Sequence, residues 1–295
     1  MTRMMMMRSK TPTSLLVVVL GLAASCAGLT CDQNKKESIV RMNAGIDNAK
    51  ARAFGQAEKE LEAAVSLDQS NHQAAYALGQ VYADQKKWDK AADAFSLALK
   101  SFSDDTMYHY KLGQALFETN KLDAAKKEFD RALSMNKRLF KAHWYEGKIL
   151  VAQGHFKEGA ASWTESCRLN PGFGKAFIDL GRLYYQWDFL QEAVSVLSQG
   201  AQYARDSEDL TNIEYYLGMA YDGLKQYDKS ADAYVKAIDT RKENIEARLQ
   251  AGMAFANQGK KDLAKKYLTE FVKMGGGNVP FNIQAANDRL SHLND

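Results

Sequence analysis

The sequence predicts an all-α chain of about seven repeated helix pairs, and three periodic series predict it. Glycine recurs every 34 residues at Gly45, Gly79, Gly113, Gly147 and Gly181, then at Gly218 after 37 and Gly252 after another 34. Twelve residues past each glycine stands a small residue: Ala57, Ala91, Ala125, Gly159, Ala193, Ser230 and Ala264. Sixteen past it stands a large one: Leu61, Phe95, Phe129, Trp163, Leu197, Tyr234 and Leu268. Only three prolines interrupt the chain, Pro12, Pro171 and Pro280. Proline breaks helix interiors, so the long stretch between the last two permits continuous helical structure.

The N-terminal segment is different in kind. Arg3, Arg8 and Lys10 precede an apolar run from Leu15 to Ala24. As a helix, ten residues span about 15 Å, half of what a bilayer core requires, so the run predicts a secretory signal rather than a membrane anchor. It ends in Leu22-Ala23-Ala24-Ser25-Cys26. That stretch resembles a bacterial lipobox, with Leu22 one place further from the cysteine than is usual. The resemblance implies a signal peptide over 1–25, lipidation of Cys26 and a tether over 26–37, which if extended reaches about 30–35 Å over its polar residues. The alternative is ordinary cleavage after Ser25 or Ala27, giving a soluble secreted or periplasmic protein. The other cysteines, Cys31 and Cys167, imply neither a disulfide framework nor a zinc site.

Net charge is +3, and residues 1–25 carry three cations and no acid, so the remainder is neutral. A neutral body lacks the concentrated basic surface that nucleic-acid binding needs.

Within repeat two, helical spacing predicts one helix near residues 73–85 and a second near 88–100. Leu78, Tyr82, Ala91, Phe95 and Ala98 then fall on facing sides. The glycine has no Cβ, and the small residue opposite also lets the helices approach closely. Glycine costs about 1 kcal/mol in a helix interior relative to alanine, which argues for a packing reason. Neither helix could bury its apolar face alone, and stacked repeats share a core.

The words Leu78-Gly79-Gln80-Val81-Tyr82, Leu180-Gly181-Arg182-Leu183-Tyr184 and Leu217-Gly218-Met219-Ala220-Tyr221, on a 34-residue period, resemble those of tetratricopeptide repeat (TPR) proteins. The resemblance covers roughly residues 38–274. It implies a right-handed superhelix, an α-solenoid of about seven helix-turn-helix repeats. Repeat one has Arg41 and Asn48 in place of bulkier apolar residues, as expected of a polar end cap. The three extra residues between Gly181 and Gly218 fall in a polar, acidic stretch, 205–212, read as a longer turn or protruding loop. Residues 275–295 read as a glycine-rich turn, Gly275-Gly276-Gly277, and a capping helix with Phe281, Ile283, Ala286 and Leu290 on one face.

In TPR proteins the first helix of each pair lines the concave face. Its outward stripe lies at glycine minus 6, minus 3, plus 1 and plus 4, spacings that keep one helical face. At minus 3 stand Tyr76, Tyr110, Trp144, Ile178 and Tyr215; at plus 1, Gln80, Gln114, Lys148, Arg182 and Met219. Lys141 and Lys175 stand at minus 6 and Tyr185 at plus 4, with Asp179 and Glu146 close enough to offset part of the positive field. The expected groove is therefore an aromatic ridge beside glutamines, with four cations in repeats four and five. Aromatic and Arg side chains are favoured interface anchors, and Gln can bond an extended backbone through donor and acceptor. The competing reading packs the tyrosines against neighbouring repeats. TPR proteins that clamp a peptide carboxylate place Asn at plus 1, where this chain has Gln80, Gln114 and Lys148.

The five histidines, His72, His109, His143, His155 and His292, are scattered, and only His109 and His143 share a register position. No nucleophile triad, phosphate-binding loop or ligand cluster is recognisable, so no enzyme, cofactor or metal is expected. The resulting expectation is a non-catalytic scaffold, an outer-membrane lipoprotein facing the periplasm that takes a protein or extended, acidic peptide in its groove. TPR lipoproteins of this layout include pilotins for type IV pilus secretins and adaptors for murein enzymes. The alternative is an accessory subunit of polysaccharide export or cell-wall processing that binds glycan through its aromatics.

Overall fold

The structure, a computed structural model, describes the backbone of residues 14–275 and 280–294, and side chains from residue 30 on except 276–281, 294 and 295. Among the described residues there are fifteen helices and no strand. The chain divides into two compact units, 1–132 and 133–295. The first holds α1 (Ser14–Lys50), α2 (Phe54–Leu67), α3 (His72–Asp84), α4 (Trp88–Ser101), α5 (Thr106–Glu118) and most of α6 (Leu122–Met135). The second holds α7 (Phe140–Ala152), α8 (Phe156–Leu169), α9 (Gly174–Gln186), α10 (Leu190–Tyr203), α11 (Ser207–Gly223), α12 (Tyr227–Thr240), α13 (Ile245–Asn257), α14 (Lys261–Lys273) and α15 (Pro280–Asn294). These are seven pairs and a final helix, as the periodicity predicts.

The glycines lie where each pair is tightest. A Cβ on Gly79 would come within 2.5 Å of the Phe95 ring, and one on Gly147 within 2.5 Å of the Trp163 indole. The large residue sixteen places on therefore fills the space over the glycine. The small residue at plus 12 lies alongside: Ala57, Ala91, Ala125, Ala193 and Ala264 are fully buried. The pair core is built from this three-residue contact, repeated.

A fourth periodic feature ends the first helix of every pair. Arg52, Lys86, Asn120, Gly154, Asp188, Lys225 and Gly259, each seven past the repeat glycine, have φ between 56° and 83°. Only two are glycines, although the left-handed region favours Gly. The conformation lets the chain fold back on helix carbonyls: Lys86 N–H donates to the Ala83 carbonyl at 2.9 Å and Lys87 N–H to Tyr82 at 2.8 Å.

The stretch 205–212 is not a protruding loop. From Ser207 it is helical, making α11 17 residues long where α9 and α13 have 13. The cause is local. Asp206 caps the helix, accepting from the N–H groups of Glu208 and Asp209 at 2.9 and 3.0 Å, and those two acids occupy the positively polarised first turn. The added turn carries buried Asp209 against Gly174, where a Cβ would lie 2.6 Å away, at the start of α9. The side chain of α9's own N-cap residue, Phe173, makes no capping bond.

The ends also differ from expectation in one respect. Residues 27–36 belong to α1, where ten residues rise about 15 Å rather than 30–35 Å. Pairs at i,i+4 favour the helix: Lys36–Asp32 at 2.7 Å and Arg41–Glu37 at 3.1 Å. Arg41 also reaches Glu60 on α2 at 2.9 Å, and Ser38 is buried, donating to the Ala64 carbonyl. Residues 1–13, and the side chains of the segment ending at Cys26, lie outside the described residues. No helix among the described residues is long and apolar enough to cross a membrane. At the other end, buried Ala286 and Leu293 of α15, with Ile283 and Leu290, cover the last core cluster. The Phe281 side chain lies outside the described residues.

Candidate functional site

The outward stripe behaves differently in the first unit and in repeats four and five of the second, while Tyr215 of the second leans on Tyr234 at 5.7 Å as the first unit's tyrosines lean on their own large residues. In the first, the ring of Tyr76 leans on Phe95 at 5.6 Å and stacks on Tyr108 at 4.6 Å, leaving the side chain half-buried. Its hydroxyl accepts from exposed Gln80 Nε2 at 3.2 Å. Burial raises the Tyr76 phenol above its ordinary pKa. Tyr110 is buried, 5% exposed, against Phe129 at 6.0 Å. It is not the groove anchor the register suggests. An aromatic over its own repeat glycine, Phe129, offers it an apolar surface within reach. Half-buried Gln114 accepts from Lys111 at 3.4 Å, a second local contact.

In the second unit the stripe forms a polar array on α7 and α9. Trp144 is half-buried, with Phe173 edge-on at 5.5 Å. Its indole N–H donates to Asp179 Oδ2 at 2.8 Å, while Arg182 donates to Asp179 Oδ1 at 3.0 Å. Lys148 Nζ lies 4.7 Å from the Trp144 ring centroid, a favourable cation–π distance. Lys141 lies 5.9 Å over Phe140, and Lys141, Lys175 and Arg182 are exposed. Tyr185 is half-buried.

Asp179 holds this array together. Its side chain is 14% exposed. Burial raises its carboxyl above the usual range, opposed by the Trp144 N–H and by Arg182, Lys148 and Lys175. Sequence reasoning saw Asp179 as a charge offsetting the cations. Its position three residues before Arg182 was the available signal for an ion pair, but the reach across to Trp144 on another repeat was not visible in the period. Arg182, Lys148 and Lys175 act on Asp179, and Lys175 also acts on buried Asp209 of α11, so three cations against two carboxylates leave the array modestly positive. Glu146, the other acid expected nearby, accepts from Ser162 at 3.0 Å and lies 3.4 Å from His143.

The histidines at the shared register position each bind within their own unit. His109 Nδ1 lies 2.6 Å from Glu128 and its Nε2 3.0 Å from the Ser103 carbonyl. His143 Nε2 lies 3.0 Å from the Lys137 carbonyl. Among the described residues no group of three His, Cys, Asp or Glu side chains is placed to hold a metal. Buried Cys167 has its thiol pushed up to about 12 by burial, so it is held as the unreactive thiol.

A sequence model described as tetratricopeptide repeat matches residues 42–106 and 110–172, and two others so described match 215–244 and 246–274, together more than half the chain. The chain is 24% identical over 196 residues to the TPR repeat-containing protein YpiA of Bacillus subtilis (strain 168), covering 66% of this chain and 42% of that protein. It is 29% identical over 113 residues to Hsc70-interacting protein 1 of Drosophila melanogaster, covering 38% and 28%. It thus spans less than half the length of either relative. Among solved structures it resembles YrrB, described as a TPR protein with an unusual peptide-binding site, with TM-score 0.52, 23% identity and coverage of 61% and 92%. It also resembles PilW, described as a widely conserved type IV pilus biogenesis factor, with TM-score 0.57, 20% identity and coverage of 68% and 92%. At these identities the likeness is one of fold.

Proposed function

The chain belongs to the tetratricopeptide repeat family, and on that premise we propose that it is a non-catalytic scaffold that binds an extended, acidic segment of a partner protein. The observation that carries this reading is the array on α7 and α9: an indole and a guanidinium fixed on one half-buried carboxylate, with Lys148 and Lys175 beside it. Fixing Trp144 and Arg182 beforehand lowers the entropy cost of using them as anchors. The positive excess favours an acidic partner. Within the first unit, taken by itself, exposed Gln80 suits a peptide backbone. The peptide-binding description of YrrB and the partner named in the Hsc70-interacting relative support the general role.

The location belongs to the same proposal. Cys26, after a short apolar run, is the lipidation site of an outer-membrane lipoprotein facing the periplasm, where a partner in an envelope assembly such as a pilus secretin would be met. The fold likeness to PilW is consistent with this. A second reading, glycan binding in export or cell-wall processing, has one observation in its favour. Phe156 and Phe189 are exposed and both rings stand edge-on to Trp187, at 5.1 and 6.3 Å.

Two variants test the surface. Trp144→Ala should weaken partner capture by about tenfold or more, mainly through faster dissociation. Lys148→Glu with Arg182→Glu should slow association and flatten or reverse its salt dependence, since rim attraction is screened over about 8 Å. Unchanged capture by both, with native helicity, would remove the array from the binding site. For the anchor, fatty-acid labelling that survives Cys26→Ala would sink the lipoprotein assignment. Co-purification of carbohydrate rather than polypeptide would favour the second reading.

A further inference from the structure

One register position, four residues before the repeat glycine, carries an internal polar pair in four repeats. Arg41 meets Glu60 at 2.9 Å and His109 meets Glu128 at 2.6 Å. His143 meets Glu146 at 3.4 Å and Arg248 meets Glu270 at 3.3 Å. Each time the basic group is on the first helix and the acid belongs to the same repeat. Repeat six reverses the sign. Its residue is Glu214 on α11, and the position of Glu60 and Glu128 is taken by Ala233 on α12. The position of Glu270 is taken by Lys236, which is exposed.

The reversed pair stays open, with no hydrogen bond or ion pair joining Glu214 to Lys236. Glu214 is 7% exposed, and its Oε2 has no hydrogen-bond partner. Burial raises its carboxyl, with Lys236 the charge that opposes the shift. Beside it lies a cavity of about 390 Å³ between α10, α11 and α12, open to solvent on one side. Small residues, Ala201 and Ala233, are among those that line it, and two residues of opposite charge, Lys236 and Asp232, stand at its edge. Lys229, also at the edge, is engaged: its Nζ donates to Gln226 at 3.0 Å and lies 5.5 Å over the Tyr221 ring. All these groups lie within the second unit. A buried carboxylate oxygen ordinarily has a donor, and here the fold supplies none.

We infer that this cavity is a binding site for a small zwitterion, a free amino acid in its simplest form, whose ammonium donates to Glu214 and whose carboxylate meets Lys236. An ammonium gives the Glu214 carboxylate the donor that the acids of the other repeats find in Arg or His. The exposed lysine then gives the ligand's acid group a partner, which a simple amine would leave unused. The site is separate from the α7–α9 array and does not depend on its role.

The test uses the full chain and three small probes: glycine, methylammonium and acetate, titrated by calorimetry or ligand-detected NMR. Glycine should bind saturably with a dissociation constant on the order of 1 mM, methylammonium about tenfold more weakly, and acetate without saturation. Glu214→Gln, which keeps the shape and removes the charge, should abolish glycine binding while circular dichroism stays native. Ala201→Leu should block the cavity and give the same loss with Glu214 intact. Lys236→Met should bring glycine down to the level of methylammonium. The inference is overturned if glycine fails to saturate, if it binds no better than methylammonium, or if Glu214→Gln or Ala201→Leu binds glycine as wild type does.

Discussion

The first unit and repeat four of the second present the same register stripe and use it differently, while Tyr215 of the second follows the first unit's pattern, its ring 5.7 Å from that of Tyr234. In the first, Tyr76 and Tyr110 lean on Phe95 and Phe129, and both glutamines make local bonds. In repeat four, the residue sixteen past the glycine is Trp163, and its indole N–H donates to the Trp144 carbonyl at 3.0 Å. The Trp144 indole N–H is satisfied by Asp179 instead. The difference teaches that a periodic position fixes which way a side chain starts, while its neighbours decide whether it packs or stays available. An apolar ring next to a tyrosine draws it into the core. A buried acid next to a tryptophan holds it at the surface with its polar edge satisfied.

The largest expected effect breaks that comparison directly. Tyr110→Ala should cost about 3–5 kcal/mol of stability, as truncation of a buried aromatic does. Partner capture by the protein that remains folded should be unchanged. Trp144→Ala, at the equivalent position of the second unit, should lose less stability and more binding. Urea midpoints paired with capture assays on both variants would show it. If the two variants lose stability and capture in the same proportion, the distinction between the units is wrong.

Next in size is the glycine contact, which the units share. Gly147→Leu drives a side chain into the Trp163 indole, already 2.5 Å from where a Cβ would stand. It should cost about 2–4 kcal/mol. Lys121→Ala removes an exposed ion pair with Asp89 and should cost less than about 0.5 kcal/mol. Similar midpoints for these two would contradict the packing geometry. Smaller again, and opposite in sign, is relief of the left-handed residues. Lys86→Gly in the first unit and Asp188→Gly in the second, at φ 58° and 62°, should each stabilise by about 0.5–1 kcal/mol. A gain in only one unit would mean that the shared turn is not equally strained.

The sequence showed the repeated framework more fully than it showed the surface. Glycine, small and large residues on a common period reported a contact that every pair must make, so the seven pairs and α15 were legible. The left-handed turn residues were not, because Arg52, Lys86, Asn120, Asp188 and Lys225 stand where glycine would have signalled the conformation. The added turn of α11 was misread because polar, acidic composition suits a loop and a helix start equally. Asp206 followed by Glu208 and Asp209 was the cue for the latter. At the candidate site, the cations and Trp144 were visible by register. The burial of Tyr110 and the central place of Asp179 were not, since both depend on a neighbour outside the period.

The smallest effect concerns pH and belongs to the second unit. His143 has its pKa raised above the ordinary value, first by its hydrogen bond to Glu146, with burial opposing and the Lys137 carbonyl and Glu165 adding to the rise. A raised folded pKa means that the native state holds the proton more tightly than the unfolded chain. The stabilisation is therefore complete below the unfolded value of about 6.5 and disappears as pH rises through the higher folded value. His143→Gln should accordingly lose more stability at about pH 5.5 than at about pH 8.5, by under about 1 kcal/mol because solvent reaches the pair. Taking the difference between wild type and variant at each pH cancels the carboxylates that titrate in both, including Glu58, whose pKa is lowered by Lys87. Urea midpoints at the two pH values give the sign. A larger loss at the alkaline value would mean that His143 is held neutral in the native state, and the Glu146 contact would then be a neutral hydrogen bond rather than an ion pair.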